Sequence, residues 1–146
     1  KTLLELNDLA LSLAPSKERY LEMSAQEGAF LASSRAWQCG PYLPFQEDVA
    51  LPVILGTIAR QNDIALDALL PAALHAFCAN LIAASLRLVP LGQSEGIAIQ
   101  AALEPLILKI SDQAARADLD DLGSCGLLSD ITAMHHETQT TRIFRS

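Results

Sequence analysis

The chain has 146 residues and a formal net charge of −7, with a sequence pI near 4.8. An acidic chain has no general affinity for phosphate backbones or anionic lipid, which sets nucleic acid and membrane surfaces aside as partners. Hydrophobic residues make up 51% and aromatic ones only 5%, so Ala and Leu supply the core. That balance favours helices packed on helices over sheets, which lean on aromatic and β-branched side chains.

In chain order, Lys1 to Ala14 reads as a helix with Leu3, Leu6, Leu9 and Leu13 on its buried side, ended by Pro15. Ser16 is a good N-cap for a second helix, with Glu18 well placed for the dipole. Along that helix Met23, Phe30 and Trp37 recur on one face behind Tyr20, a stripe read as core. Gly40, Pro41 and Pro44 then break the chain into a loop. A third helix starts at Asp48 or Ala50 and runs to about Arg60, with Leu51, Leu55 and Ile58 facing inward. Gln61, Asn62 and Asp63 form a turn. Pro52 and Pro71 follow Asp48 and Asp67 at the same distance, and proline is tolerated in a first turn but not deeper.

The stretch from about Asp67 to Val89 organises the rest. Leu74, Phe77, Leu81, Ala84 and Leu88 recur at three- and four-residue steps, and Ala72, Ala76, Ala79 and Ala83 form a second stripe of small side chains. Two such stripes predict a central helix surrounded by protein. Asp67, His75, Asn80 and Arg87 interrupt it, so it is read as a strut and not as a membrane span. His75 and Cys78 are expected within the core. Pro90 stops the helix and Gly92 reverses the chain. Ser94 to Leu103 forms another helix, which Pro105 kinks, or Pro105 starts a new one running to about Ala117 with Leu106, Ile110 and Ala114 inward. Asp118, Asp120 and Asp121 make a solvated acidic loop. The last segment has a helical start capped by Ser129 or Asp130, and its hydrophobic handles are Ile143 and Phe144 between Arg142 and Arg145. The expected architecture is therefore all-α: a compact helical bundle, 1–130, around the apolar helix, and a C-terminal recognition tail, 131–146.

The mean hydropathy of +0.27 is high for a soluble monomer, so a partner or a second copy is expected to cover apolar surface. Cys39, Cys78 and Cys125 are odd in number, without metal-ligand spacing, which points to a reducing, cytoplasmic compartment. The chain opens on Lys1 and not Met, so it reads as part of something longer.

The residues assemble into no catalytic constellation. His136-Glu137 invites a metalloprotease reading, but Thr140 stands where the second histidine belongs. His135 and His136 are neighbours, about 100° apart on a helix, and do not readily share a metal. The sequence holds no phosphate-binding loop, nucleophile elbow or dinucleotide fingerprint. No catalytic residue and no directly bound metal or cofactor is expected.

Two segments carry a family resemblance. Arg87-Leu88-Val89-Pro90-Leu91-Gly92-Gln93 resembles the R-L-V-P-L-G-Q element of the urease accessory protein F family. His136-Glu137-Thr138-Gln139, followed by Arg142 and by Phe144-Arg145-Ser146, resembles that family's terminal H-E-T-Q-Y-S-R-L-F-R-S. Weaker similarity runs through Glu18, Glu22, Gln26 and Gly28. Thr140, Thr141 and Ile143 depart from the tyrosine, serine and leucine of that signature, and Leu127 stands where proline is frequent. The family's N-terminal S-P-x-L-P-x-G region is absent from this sequence.

The resemblance implies a helical, often dimeric, non-catalytic protein in nickel-dependent urease maturation. It would bridge accessory protein D (called H in some bacteria) and the GTPase accessory protein G, and meet apo-urease through that complex, which handles the nickel. It further implies partner binding by His136, Glu137, Gln139, Arg142, Phe144, Arg145 and Ser146, and a structural or interface role for Arg87, Pro90, Gly92 and Gln93. Two other readings are a direct nickel carrier using His135, His136 and Cys125, and a generic helical interaction domain.

Overall fold

The structure, a computed structural model, describes residues 2–34, 48–123 and 126–140. Every regular element among them is helical: α1 (Leu3–Ser12), α2 (Lys17–Ser34), α3 (Leu51–Gln61), α4 (Leu66–Leu88), α5 (Gln93–Ala114) and α6 (Leu127–Glu137), with a 3₁₀ turn at Leu119–Asp121. The all-α expectation holds. The loop at Gly40, Pro41 and Pro44, Trp37, Cys39, Cys125 and residues 141–146 lie outside the described residues.

The helices group into two compact units. One spans Ile64–Gly123, and the other holds α1, α2, α3 and α6. In this four-helix unit, local chemistry sets the helix starts. The Thr2 hydroxyl accepts from the Glu5 N–H at 3.2 Å while Glu5 accepts from the Thr2 N–H at 2.7 Å, a reciprocal box at the start of α1. Ser16 accepts from the Arg19 N–H at 3.2 Å, as expected of the α2 cap. The start of α3 is held from a distance. Ala50 is its N-cap and offers no side-chain bond, but the buried Asn7 of α1 accepts the Ala50 N–H at 2.8 Å and donates to the Asp48 carbonyl at 3.1 Å. Tyr20 of α2 donates to the Asp48 carboxylate at 3.3 Å. Val49, Ile54 and Ile58 form the core beside this clamp, with Phe30 and Val53 packed against them. Leu51 and Leu55, expected inward, are only half-buried.

The second unit is a helical hairpin of α4 and α5. Gly96 lets the two helices approach: a Cβ there would lie 3.0 Å from Leu86 Cδ1 and 3.2 Å from Ile82 Cγ2. α5 runs unbroken through Pro105. α4 begins at Leu66, so Pro71 sits in its second turn and not its first. There it removes the N–H that would meet the Asp67 carbonyl.

The expected sheath around α4 is not observed: none of its residues is buried. Ile82 and Leu86 face α5 over Gly96, whereas Phe77, Leu81 and Leu88 are half exposed. His75, expected in the core, is exposed, and Cys78 is half-buried with a free thiol. α5 shows the same phase error: Ile107 and Ser111 are buried, and the expected Leu106 and Ile110 are exposed. Apolar residues lie on most sides of both helices, so spacing alone could not say which stripe meets the neighbour. By length and hydropathy, α4 is also long and apolar enough to cross a membrane, although Asp67, His75, Asn80 and Arg87 lie along it.

Candidate functional site

Two places gather the residues singled out in the sequence, one in each unit. The first is the seam between α2 and α6. Helix α6 starts one turn earlier than a Ser129 or Asp130 cap would allow, with Gly126 as its N-cap. Ser129, Thr132, Ala133 and His136 therefore share one face. With Glu18, Arg19 and Glu22 of α2 they line a groove of about 680 Å³.

The seam is held by polar groups. His136 Nδ1 lies 2.7 and 2.8 Å from the two Glu18 carboxylate oxygens. A carboxylate only accepts, so Nδ1 carries the proton. Next to this pair, the Glu137 carboxylate accepts the Lys17 N–H at 2.8 Å. That N–H belongs to the first turn of α2, where the chain has no intrahelical acceptor for it and the dipole favours negative charge. Arg19 pairs with Glu22 at 2.8 Å and reaches the Ser129 hydroxyl at 3.5 Å. The His-Glu pair of the terminal signature thus closes α6 onto the start of α2.

The polar docking edge leaves the apolar side of α6 uncovered. Leu127, Leu128, Ile131 and Met134 are all exposed, Leu128 at 81%. A helix that turns its polar edge to its own chain and its apolar edge outward offers a surface for another molecule. Gln139 is exposed just past the helix end, and its N–H bonds to the His136 carbonyl at 3.1 Å. Arg142, Phe144, Arg145 and Ser146 lie outside the described residues. Sequence reasoning misses Glu18 and Lys17 as partners of the signature. It gives Glu18 to its own helix dipole, and nothing local shows that a carboxylate from the far end of the chain supplies the cap.

The second place is the connection from α4 to α5. The Glu95 carboxylate accepts the Gly92 N–H at 2.6 Å, so Gly92 caps α5 as the turn requires. Gln93 opens the helix and is exposed, as are Pro90 and Val89. Arg87 lies in the last turn of α4, exposed and with no ion pair or side-chain hydrogen bond among the described residues. The turn is therefore braced by Glu95, and the long polar side chains of Arg87 and Gln93 are left outward.

Among the described residues, no three His, Cys, Asp or Glu side chains converge as metal ligands.

A family model described as UreF matches residues 1–104. The chain is 46% identical over 142 residues to a urease accessory protein UreF of Brucella ovis, covering 97% of this chain and 62% of that protein. The chain belongs to the UreF family. A UreF of Mesorhizobium japonicum is 45% identical over 97% of this chain and 64% of its own length. UreF 1 of Brucella anthropi is 41% identical over 99% of this chain and 63% of its own. The chain thus spans a little under two thirds of the length of these UreF relatives.

Proposed function

We propose that this chain serves urease maturation as a non-catalytic adaptor that bridges accessory protein D (H in some bacteria) and the GTPase accessory protein G. Similarity along 97% of the chain to proteins named urease accessory protein UreF carries this reading. In this scheme apo-urease is met through the complex, nickel passes through the complex and is not held by this chain, and the setting is cytoplasmic. The exposed apolar edge of α6 and Arg87, unpaired among the described residues and close to Gln93, support contact with partners, because each presents groups that their own fold leaves unused. The apolar face of α4 supports association with a second copy as a homodimer.

In this reading residues 131–146 form the recognition segment. Its first turns are helical and fastened by His136 and Glu137, which orient the residues beyond the helix end. Arg142 and Arg145 then grip accessory protein D by charge-assisted hydrogen bonds, and Phe144 fills a pocket. Deleting residues 141–146 is expected to abolish copurification with accessory protein D while leaving helical circular dichroism unchanged. Complex formation undiminished by that deletion would overturn the assignment.

A further inference from the structure

Helix α6 is turned the opposite way from an ordinary amphipathic helix. Ser129, Thr132, Ala133 and His136 line the groove with α2. Leu127, Ile131 and Met134 stand about half a turn away around the helix, 67%, 50% and 49% exposed. Burial alone would roll such a helix about its axis and lay the three apolar side chains on α2. Its rotation is therefore set by the polar groups of the seam, and these contribute unequally. Arg19 reaches Ser129 only at 3.5 Å and is already paired with Glu22. Glu137 accepts a backbone N–H, that of Lys17, and so fixes where the end of α6 lies. Glu18 meets a side chain in the middle of the inner face. Its two oxygens lie 2.8 and 2.7 Å from His136 Nδ1, and its own side chain is only 18% exposed. A half-turn roll would carry the ring to the far side of the helix, about 10 Å away, and break this charge-assisted bond.

We infer that Glu18 is a positioning residue for partner recognition: acting through His136, it holds α6 with its apolar stripe outward. Glu137 decides where the helix ends, and Glu18 decides which way it faces. A carboxylate in the first turn of α2 would suit the dipole wherever it pointed. The two-oxygen grip on His136 is the part that the dipole does not require. The inference rests on the adaptor reading for its partner: the stripe and the residues that follow it meet accessory protein D.

The test compares Glu18→Leu with Glu18→Gln in the full chain. It reads the methyl resonances of Met23 and Met134, the two methionines, and their broadening by a soluble paramagnetic agent. In the native chain Met134 is expected to broaden more than the half-buried Met23. Glu18→Leu offers no acceptor and presents an apolar surface, so α6 rolls. Broadening of Met134 is then expected to fall to about that of Met23, and copurification with accessory protein D to fall roughly tenfold, with helical circular dichroism unchanged. Glu18→Gln keeps an oxygen for the Nδ1 proton and is expected to retain both the exposed Met134 and most of the copurification. His136→Leu is expected to shield Met134 as Glu18→Leu does, and the double variant to shield it no further. A Glu18 that serves only the α2 dipole would lower the Tm equally in both variants and leave Met134 exposed in both, which overturns the inference. A Met134 more exposed in Glu18→Leu also overturns it, because α6 has then come loose and not rolled. Shielding of Met134 in Glu18→Leu, in a chain whose native form does not copurify with accessory protein D, leaves the Glu18 contact standing and removes the adaptor reading. Native copurification that Glu18→Leu leaves intact removes the inference alone.

Discussion

Asn7 is the residue on which the four-helix unit turns. Its amide replaces two bonds that the extended backbone at Asp48 and Ala50 has no local way to make. Asn7→Ala leaves the buried Ala50 N–H unpaired, at ~1–3 kcal/mol, and releases the carbonyl of the exposed Asp48 at less. We expect a loss of about 1–3 kcal/mol in urea denaturation. A loss below about 0.5 kcal/mol would show that water replaces the clamp. Glu137 works at a more exposed place, so less is at stake. Glu137→Ala should cost about 1 kcal/mol, as removal of a helix cap does. Glu137→Gln, which keeps an acceptor but not the charge, should cost roughly 0.3–1 kcal/mol from the dipole alone. Measuring both in low salt separates hydrogen bond from charge.

Among the elements, α6 and the α4–α5 pair illustrate different means of attachment. α6 is attached through groups that demand geometry, the His136–Glu18 pair and the Glu137 cap. The α4–α5 pair is attached through close approach at Gly96. Gly96→Leu brings a side chain into space already held by Ile82 and Leu86. Overpacking of this kind costs about 1–3 kcal/mol and outweighs the roughly 1 kcal/mol gained from better helix propensity. We expect a net loss of stability of up to about 2 kcal/mol and a lower Tm. An unchanged Tm would show that the Leu86 side chain simply moves aside. The unbroken passage of α5 through Pro105 belongs to the same scale. Local rules predict a kink or a restart there, and the restart does not occur: the helix runs on to Ala114.

For the molecule as a whole, the issue is which apolar surface the fold uses. Ile54 is fully buried, while Leu81 is 50% exposed. Ile54→Ala should cost about 2–5 kcal/mol, since it removes buried methyl groups and leaves a cavity. Leu81→Ala in the isolated chain should cost less than about 1 kcal/mol. Equal losses in equilibrium denaturation would mean that the α4 face is covered in solution. A loss for Leu81→Ala that grows with protein concentration would point to a second copy as the cover.

The amino-acid sequence alone determined the helical class, the places where Ser16 and Pro52 begin helices, the turn at Gly92, and the two signatures that pointed to the family. These are local properties: capping, proline chemistry and residue order act over a turn or two of chain. It did not determine which stripe of α4 or α5 faces inward, because both helices are apolar on most sides and any phase satisfies the spacing. Nor did it show that Asn7 caps α3, or that His136 and Glu137 fasten onto the start of α2. Those contacts join residues far apart along the chain, and only the packing of one helix on another decides which acceptor meets which donor.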